Sequence, residues 1–189
     1  MTEHRRKTEK TKYLLASSIK LCMKTTPVDK ITIQQIVDEC GMTRQTFYRN
    51  FKDKYDLINW YFDKLVLRIF AQIGVDKTIG ESLTEKFSFI QDEQVFFTEA
   101  FRSVDYNSLK EHDFEFILRF YTELIGRKTN RPLGEDIRFL LEMYCRGSVY
   151  MTEKWISEGM KKTPAELAEA LVEALPPKLG DVLISLKLL

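Results

Sequence analysis

An all-α fold is predicted by three observations on the 189-residue sequence. Apolar residues recur at three- and four-residue spacing along most of it, as in Ile33, Ile36, Val37 and Cys40, which share one helix face. Helix starts are written as capping boxes: Thr32 with Gln35, and Thr163-Pro164-Ala165-Glu166, which adds a proline at the first helical position. Helix stops are written as Gly41, Gly159 and the pair Pro176-Pro177.

Composition bounds the class. Apolar content of 44 % with 30 % charged residues is that of a globular domain, and the length allows a small module fused to a larger one. Net charge is only +1, but it is unevenly spread. Residues 1–54 hold 12 Lys and Arg against 6 Asp and Glu, a balance of +6, and the remainder sums to −5. A basic first quarter on an acidic body suits a nucleic-acid-binding head on a second domain. Cys22, Cys40 and Cys145 are far apart and form no ligand spacing. Cys22 and Cys40 lie on apolar helix faces and read as small core residues in a reducing cytosol. His4 and His112 are too few and too separated for a zinc site. No apolar run approaches the roughly 18 residues of a membrane span, and no apolar signal-peptide region follows the basic start. A cytoplasmic chain without cofactor, metal or membrane partner is expected.

In chain order, His4-Arg5-Arg6-Lys7, Lys10 and Lys12 form a basic arm leading into a first helix with the stripe Leu15, Ile19, Cys22 and Met23, ending near Thr25-Thr26-Pro27. Found alone, such an arm would also fit a disordered solubilising tail. The second helix runs from the Thr32 cap to Cys40. Gly41 accepts a positive φ and turns the chain. Thr43 then caps a helix of about two turns, on which Phe47 faces inward while Arg44, Gln45, Thr46, Tyr48 and Arg49 project elsewhere. A helix–glycine–helix pattern is shared with ordinary helical hairpins. Here the second helix has little apolar surface to bury, and its exposed side chains are those that contact base edges and phosphates. With the basic arm beside it, the stretch reads as helix-turn-helix with a recognition helix.

The run Thr43-Arg44-Gln45-Thr46-Phe47-Tyr48-Arg49-Asn50-Phe51-Lys52-Asp53-Lys54-Tyr55-Asp56-Leu57 resembles the second-helix signature of the TetR/AcrR family of bacterial transcriptional regulators. The Thr-Phe-Tyr core, the Phe-Lys-x-Lys step and the following Leu recur together in that family. The resemblance covers roughly residues 8 to 60 and is architectural beyond. It implies an all-helical homodimer with an N-terminal three-helix helix-turn-helix DNA-binding domain and a larger C-terminal helical domain for regulation and dimerisation. On that scheme residues 1–54 form the DNA-binding domain, 55–74 a connecting helix, and 75–189 the second domain.

Site roles follow. The arm and Lys54 are expected to neutralise phosphates, and Thr32 and Tyr48 to bond backbone oxygens. Arg44 is expected at guanine O6 and N7. Gln45, Thr46, Arg49 and Asn50 serve other base edges or neighbouring phosphates, and Thr43 completes the set.

Asp53 caps the connecting helix, whose face carries Leu57, Ile58, Tyr61, Phe62, Leu65 and Ile69 to about Gly74. Val75 to Gly80, between glycines, is expected to be a loop. Three helical segments follow at about 82–91, 92–103 and 108–126. They are crowded with Phe87, Phe89, Phe96, Phe97, Phe101, Phe114, Phe116, Phe120 and Tyr121, which suit either an aromatic-lined effector pocket or a bulky core. The nearby charges Lys110, Glu111, Asp113 and Glu115 are expected outside. After a polar break at Arg127 to Gly134, a helix carries Ile137, Leu140, Leu141, Tyr144, Ser148, Met151, Trp155 and Ile156. The next carries Leu167, Ala168, Leu171, Val172 and Leu175. These two stripes are expected to pair with their copies in a four-helix dimer interface, with packing on their own domain as the alternative. The tail from Leu179 to Leu189 carries no assignment. Tyr144-Cys145-Arg146-Gly147 through Trp155-Ile156-Ser157-Glu158-Gly159 to Thr163-Pro164 also resembles the branch of the family that includes activators of dihydroxyacetone-kinase operons. Some members of that branch take their signal from a protein partner.

The expected function is thus a regulator that binds a pseudo-palindromic double-stranded DNA operator as a homodimer, controlled by a small apolar effector or a protein coactivator. The alternative is a helical adaptor whose signal comes from a protein partner. Enzyme chemistry is not expected: His112-Asp113 with Glu115 is the only acid–base cluster, and neither a nucleophile motif nor a phosphate loop accompanies it.

Overall fold

The computed structural model describes residues 3–189, with side chains from Arg6 onward. It is all-helical: α1 (Glu3–Met23), a 3-10 turn (Val28–Lys30), α2 (Ile33–Glu39), α3 (Arg44–Tyr48), α4 (Lys54–Phe70), α5 (Ile79–Asp92), α6 (Gln94–Arg102), α7 (Leu109–Thr129), α8 (Glu135–Ser157), α9 (Pro164–Glu173) and α10 (Pro177–Ser185). The chain divides into two compact units. The first comprises Met1–Lys64 and Gln94–Leu109, the second Leu65–Glu93 and Lys110–Leu189. Helix α6, although late in the sequence, packs within the first unit against α1.

In the first unit Leu15, Ile19 and Met23 of α1, Ile36 and Val37 of α2 and Phe47 of α3 are buried, with α1 packed on α2 and α2 on α3. The rings of Phe47, Phe51 and Trp60 follow one another at 5.9 and 5.6 Å. Lys20 donates to the Tyr61 hydroxyl at 2.5 Å, and the Tyr61 ring meets Phe96 at 5.3 Å, which seats α6. The basic residues expected to form an arm before the first helix belong to α1 itself; the side chains of His4 and Arg5 lie outside the described residues. Cys22 and Cys40 are half-buried, not core residues.

In the second unit α5 packs along α9, and Phe70 at the end of α4 meets the rings of Phe116, Phe120 and Tyr121 at 5.0 to 6.2 Å. Two expectations change here, and the unassigned tail takes a form. Helix α5 starts at Ile79, because Thr78 and Glu81 form a capping box that overrides Gly80. The tail forms α10, because Pro177 is at a first-turn position, where its missing N–H costs nothing. Leu179 and Leu183, four apart, bury one face of it. Asp113 is buried, not solvated. Its two carboxylate oxygens accept from Lys86 Nζ at 2.8 Å each, and both residues are almost wholly shielded from water.

The stripe expected to form the dimer interface turns inward. Leu141, Trp155 and Ile156 are buried in their own unit, and the Leu171 carbonyl accepts from the Tyr144 hydroxyl at 2.8 Å. Met151 alone of the expected α8 stripe is exposed.

Candidate nucleic-acid interface

The first unit presents α2 and α3 at a fixed angle because both ends of the turn are hydrogen-bonded. Thr32 and Gln35 form a reciprocal capping box at the start of α2. At its end Gly41 has φ +64°, the Met42 N–H donates to the Val37 carbonyl at 2.9 Å, and the Gly41 N–H donates to Asp38 at 3.3 Å. This Schellman closure needs the left-handed residue that glycine supplies. Thr43 caps α3 by accepting from the Thr46 N–H at 3.1 Å. Phe47, fully buried, then pins the short helix to the core.

That geometry divides the expected site residues. The Thr43 and Thr46 hydroxyls bond each other at 3.0 Å, and Asn50 Nδ2 donates to the Thr46 carbonyl at 2.8 Å, so these three complete the motif's own bonding. The Thr32 hydroxyl is likewise engaged with Gln35. Arg44, Gln45, Tyr48 and Arg49 are all exposed, while Phe47 among them is buried. The Arg44 guanidinium sits 6.0 Å from the Tyr48 ring centroid, so the ring steers a cation with a planar donor fork.

Lys54, expected among the phosphate contacts, is engaged within its own unit. Its Nζ donates to the carbonyls of Asp29 at 2.8 Å and Ile31 at 2.9 Å, which ties the first residue of α4 to the segment before α2. Burial pushes its pKa down, against the opposing pull of Asp29, Asp105 and Asp53. Asp29 is also an acceptor at its side chain: Oδ1 takes the Tyr55 hydroxyl at 2.8 Å and the Ser103 hydroxyl at 2.5 Å. The Ser103 bond, with lesser help from Tyr55 and Lys54, holds this carboxyl below the usual range, and burial lifts the Tyr55 phenol to about 12. Sequence reading missed Asp29 and Ser103, which lie 74 residues apart and share no local pattern.

The acid–base cluster does not assemble. Asp113 faces Lys86 in the interior while Glu115 is exposed on the other side of α7. Among the described residues no helix is long and apolar enough to cross a membrane.

Residues 22–60 match the family described as bacterial regulatory proteins, tetR family. Residues 77–176, more than half of the chain, match the family described as transcriptional regulator C-terminal region. Among solved structures, the fold is similar to the dihydroxyacetone kinase operon activator DhaS, at 17 % identity and TM-score 0.56, over 94 % of this chain and 96 % of that one. No curated protein matches the sequence. A helix-turn-helix whose short second helix is pinned by one buried phenylalanine, followed by an all-helical C-terminal region of matching pattern, places this chain in the TetR family of bacterial transcriptional regulators.

Proposed function

We propose that this regulator binds a pseudo-palindromic DNA operator as a homodimer and reads it with α3. The observation that carries the reading is the exposed group Arg44, Gln45, Tyr48 and Arg49 on a helix whose other polar side chains are internally bonded. On this reading Arg44 takes guanine O6 and N7, Gln45 and Arg49 neighbouring base edges or phosphates, and Tyr48 a phosphate oxygen. Two copies are brought together by the outer face of α8. Phe139, Met143, Gly147, Tyr150 and Met151 fall within about a third of its circumference. Phe139, Met143 and Tyr150 are 66, 57 and 63 % exposed. A patch of that kind is what a monomer normally covers, and twofold pairing through it matches the symmetry of a palindrome. Selection from a randomised duplex library tests the reading: enrichment of inverted half-sites supports it, and failure to enrich any sequence overturns it.

The regulatory signal is read as coming from a protein partner. The enclosed interior of the second unit has a cavity of about 20 Å³ beside Lys86, Asp113 and Tyr121, room for one water where ligand pockets take some 300–1,000 Å³; a space of about 430 Å³ in this unit lies instead at the surface, beside Trp155, Lys162 and Leu167. Its buried cation is already neutralised by Asp113, so the interior offers a charged metabolite no uncompensated partner. A metabolite bound at 100 times its dissociation constant adds about 2.7 kcal/mol of stability. A melting-temperature rise of that size with a phosphorylated or carboxylated metabolite would overturn this part of the reading.

A further inference from the structure

Asp29 lies in the 3-10 turn, three residues before the N-cap of α2. Its Oδ1 accepts from two hydroxyls far apart in sequence, Tyr55 in the first turn of α4 and Ser103 just after α6. The carbonyls of Asp29 and Ile31 also accept from Lys54. The entry to α2 is therefore bound to α4 on one side and to the segment after α6 on the other. Ser103 is 1 % exposed and Tyr55 9 %, so neither hydroxyl has ready access to water as a substitute acceptor. Asp29 and Tyr55 fall within the residues matched by the N-terminal family pattern, and Ser103 within those matched by the C-terminal one. The bond between them joins the two patterns inside one compact unit.

We propose that Asp29 is a positioning residue for DNA reading: it sets the start of α2, and with it the recognition helix α3, according to where Ser103 holds its carboxylate. The inference rests on the DNA-binding reading above. With α2 only seven residues long and the turn after it closed by hydrogen bonds, a shift at the entry is carried to α3 instead of being absorbed. Contacts to base edges are directional and lose strength with such a shift, whereas phosphate attraction depends mainly on charge. The residues around Ser103 thereby control sequence discrimination without touching DNA.

The probes are a duplex enriched by the wild-type chain from a randomised library and an unrelated duplex of equal length. Ser103→Ala is expected to weaken the enriched duplex by about three- to tenfold and to leave the unrelated one within about twofold. A loss of folded protein would lower both alike, so the ratio separates positioning from stability. In an Asp29→Ala background, Ser103→Ala should leave the ratio between the two duplexes unchanged, because its acceptor is gone and only the bond that its hydroxyl accepts from the Asp105 N–H at 3.2 Å is left to lose. If Asp29→Ala does not fold, Tyr55→Phe takes its place, and the two hydroxyl losses should combine less than additively. Equal loss on both duplexes or an unchanged ratio with Ser103→Ala alone, or full additivity, would overturn the proposal while leaving the DNA reading intact. A wild-type chain that enriches no sequence overturns that reading, and this inference with it.

Discussion

Lys86 Nζ and the Asp113 carboxylate face each other at 2.8 Å inside the second unit, with side chains 5 % and 0 % exposed. Removing one partner strands the other charge away from water. Lys86→Met is expected to cost about 3–5 kcal/mol, and Lys86→Met with Asp113→Leu to recover most of it. Urea unfolding of the single and double variants checks this. A single variant as stable as wild type would mean that water reaches the site.

Lys54 is expected to act through the fold and not through phosphate. Lys54→Ala removes the donor to two carbonyls at the start of α2 and should lower stability by about 1–3 kcal/mol. The salt slope of binding to any duplex should stay as it is. A slope reduced by about one would return Lys54 to the phosphate contacts.

The helix-capping glutamates set an acid limit. Glu81 and Glu166 are held below the ordinary glutamate value of 4.5, first by the backbone N–H of Thr78 and Thr163 and then by their hydroxyls. A carboxylate with a depressed folded-state pKa contributes stability that is present above the unfolded value and lost as pH falls through the folded one. The melting temperature should therefore be level near neutrality and fall below about pH 4.5. Glu166→Gln keeps a capping side chain without the titration, so its melting temperature should lie below that of wild type at pH 7 and converge with it in acid. Parallel curves would exclude the cap as the source.

Much of this was legible in the sequence, and the failures have a common physical form. Capping boxes and glycine stops are local, so α2, α3 and the ends of α8 and α9 could be read directly. Thr78 with Glu81 was equally local, but Gly80 between them masked it. Pro176-Pro177 ends one helix and begins the next, and only the first role was read. Asp113, Lys54 and Leu171 could not be placed from pattern alone. A carboxylate flanked by apolar residues is buried only if a cation arrives from elsewhere, and Lys86 does so from 27 residues away. The α8 stripe is apolar in the sequence, yet periodicity cannot say which of two apolar faces meets its own unit.

The outer face of α8 should hold the dimer. Tyr150→Glu places a charge on that face, and Gly147→Trp places bulk where an added Cβ meets nothing within its own chain. Both variants are expected to sediment as folded monomers and to lose operator binding. An intact dimer in both would sink the interface assignment.

Base reading by α3 is tested most directly by repeating the library selection with Arg44→Ala. Arg44 is exposed beside Tyr48, and its fork suits guanine O6 and N7. The variant is expected to enrich the wild-type motif with preference relaxed at one base position in each half-site, and to bind the wild-type duplex about 1–3 kcal/mol more weakly. An unchanged motif, with affinity lowered uniformly over all duplexes, would contradict base reading by Arg44 and assign it to the phosphate backbone.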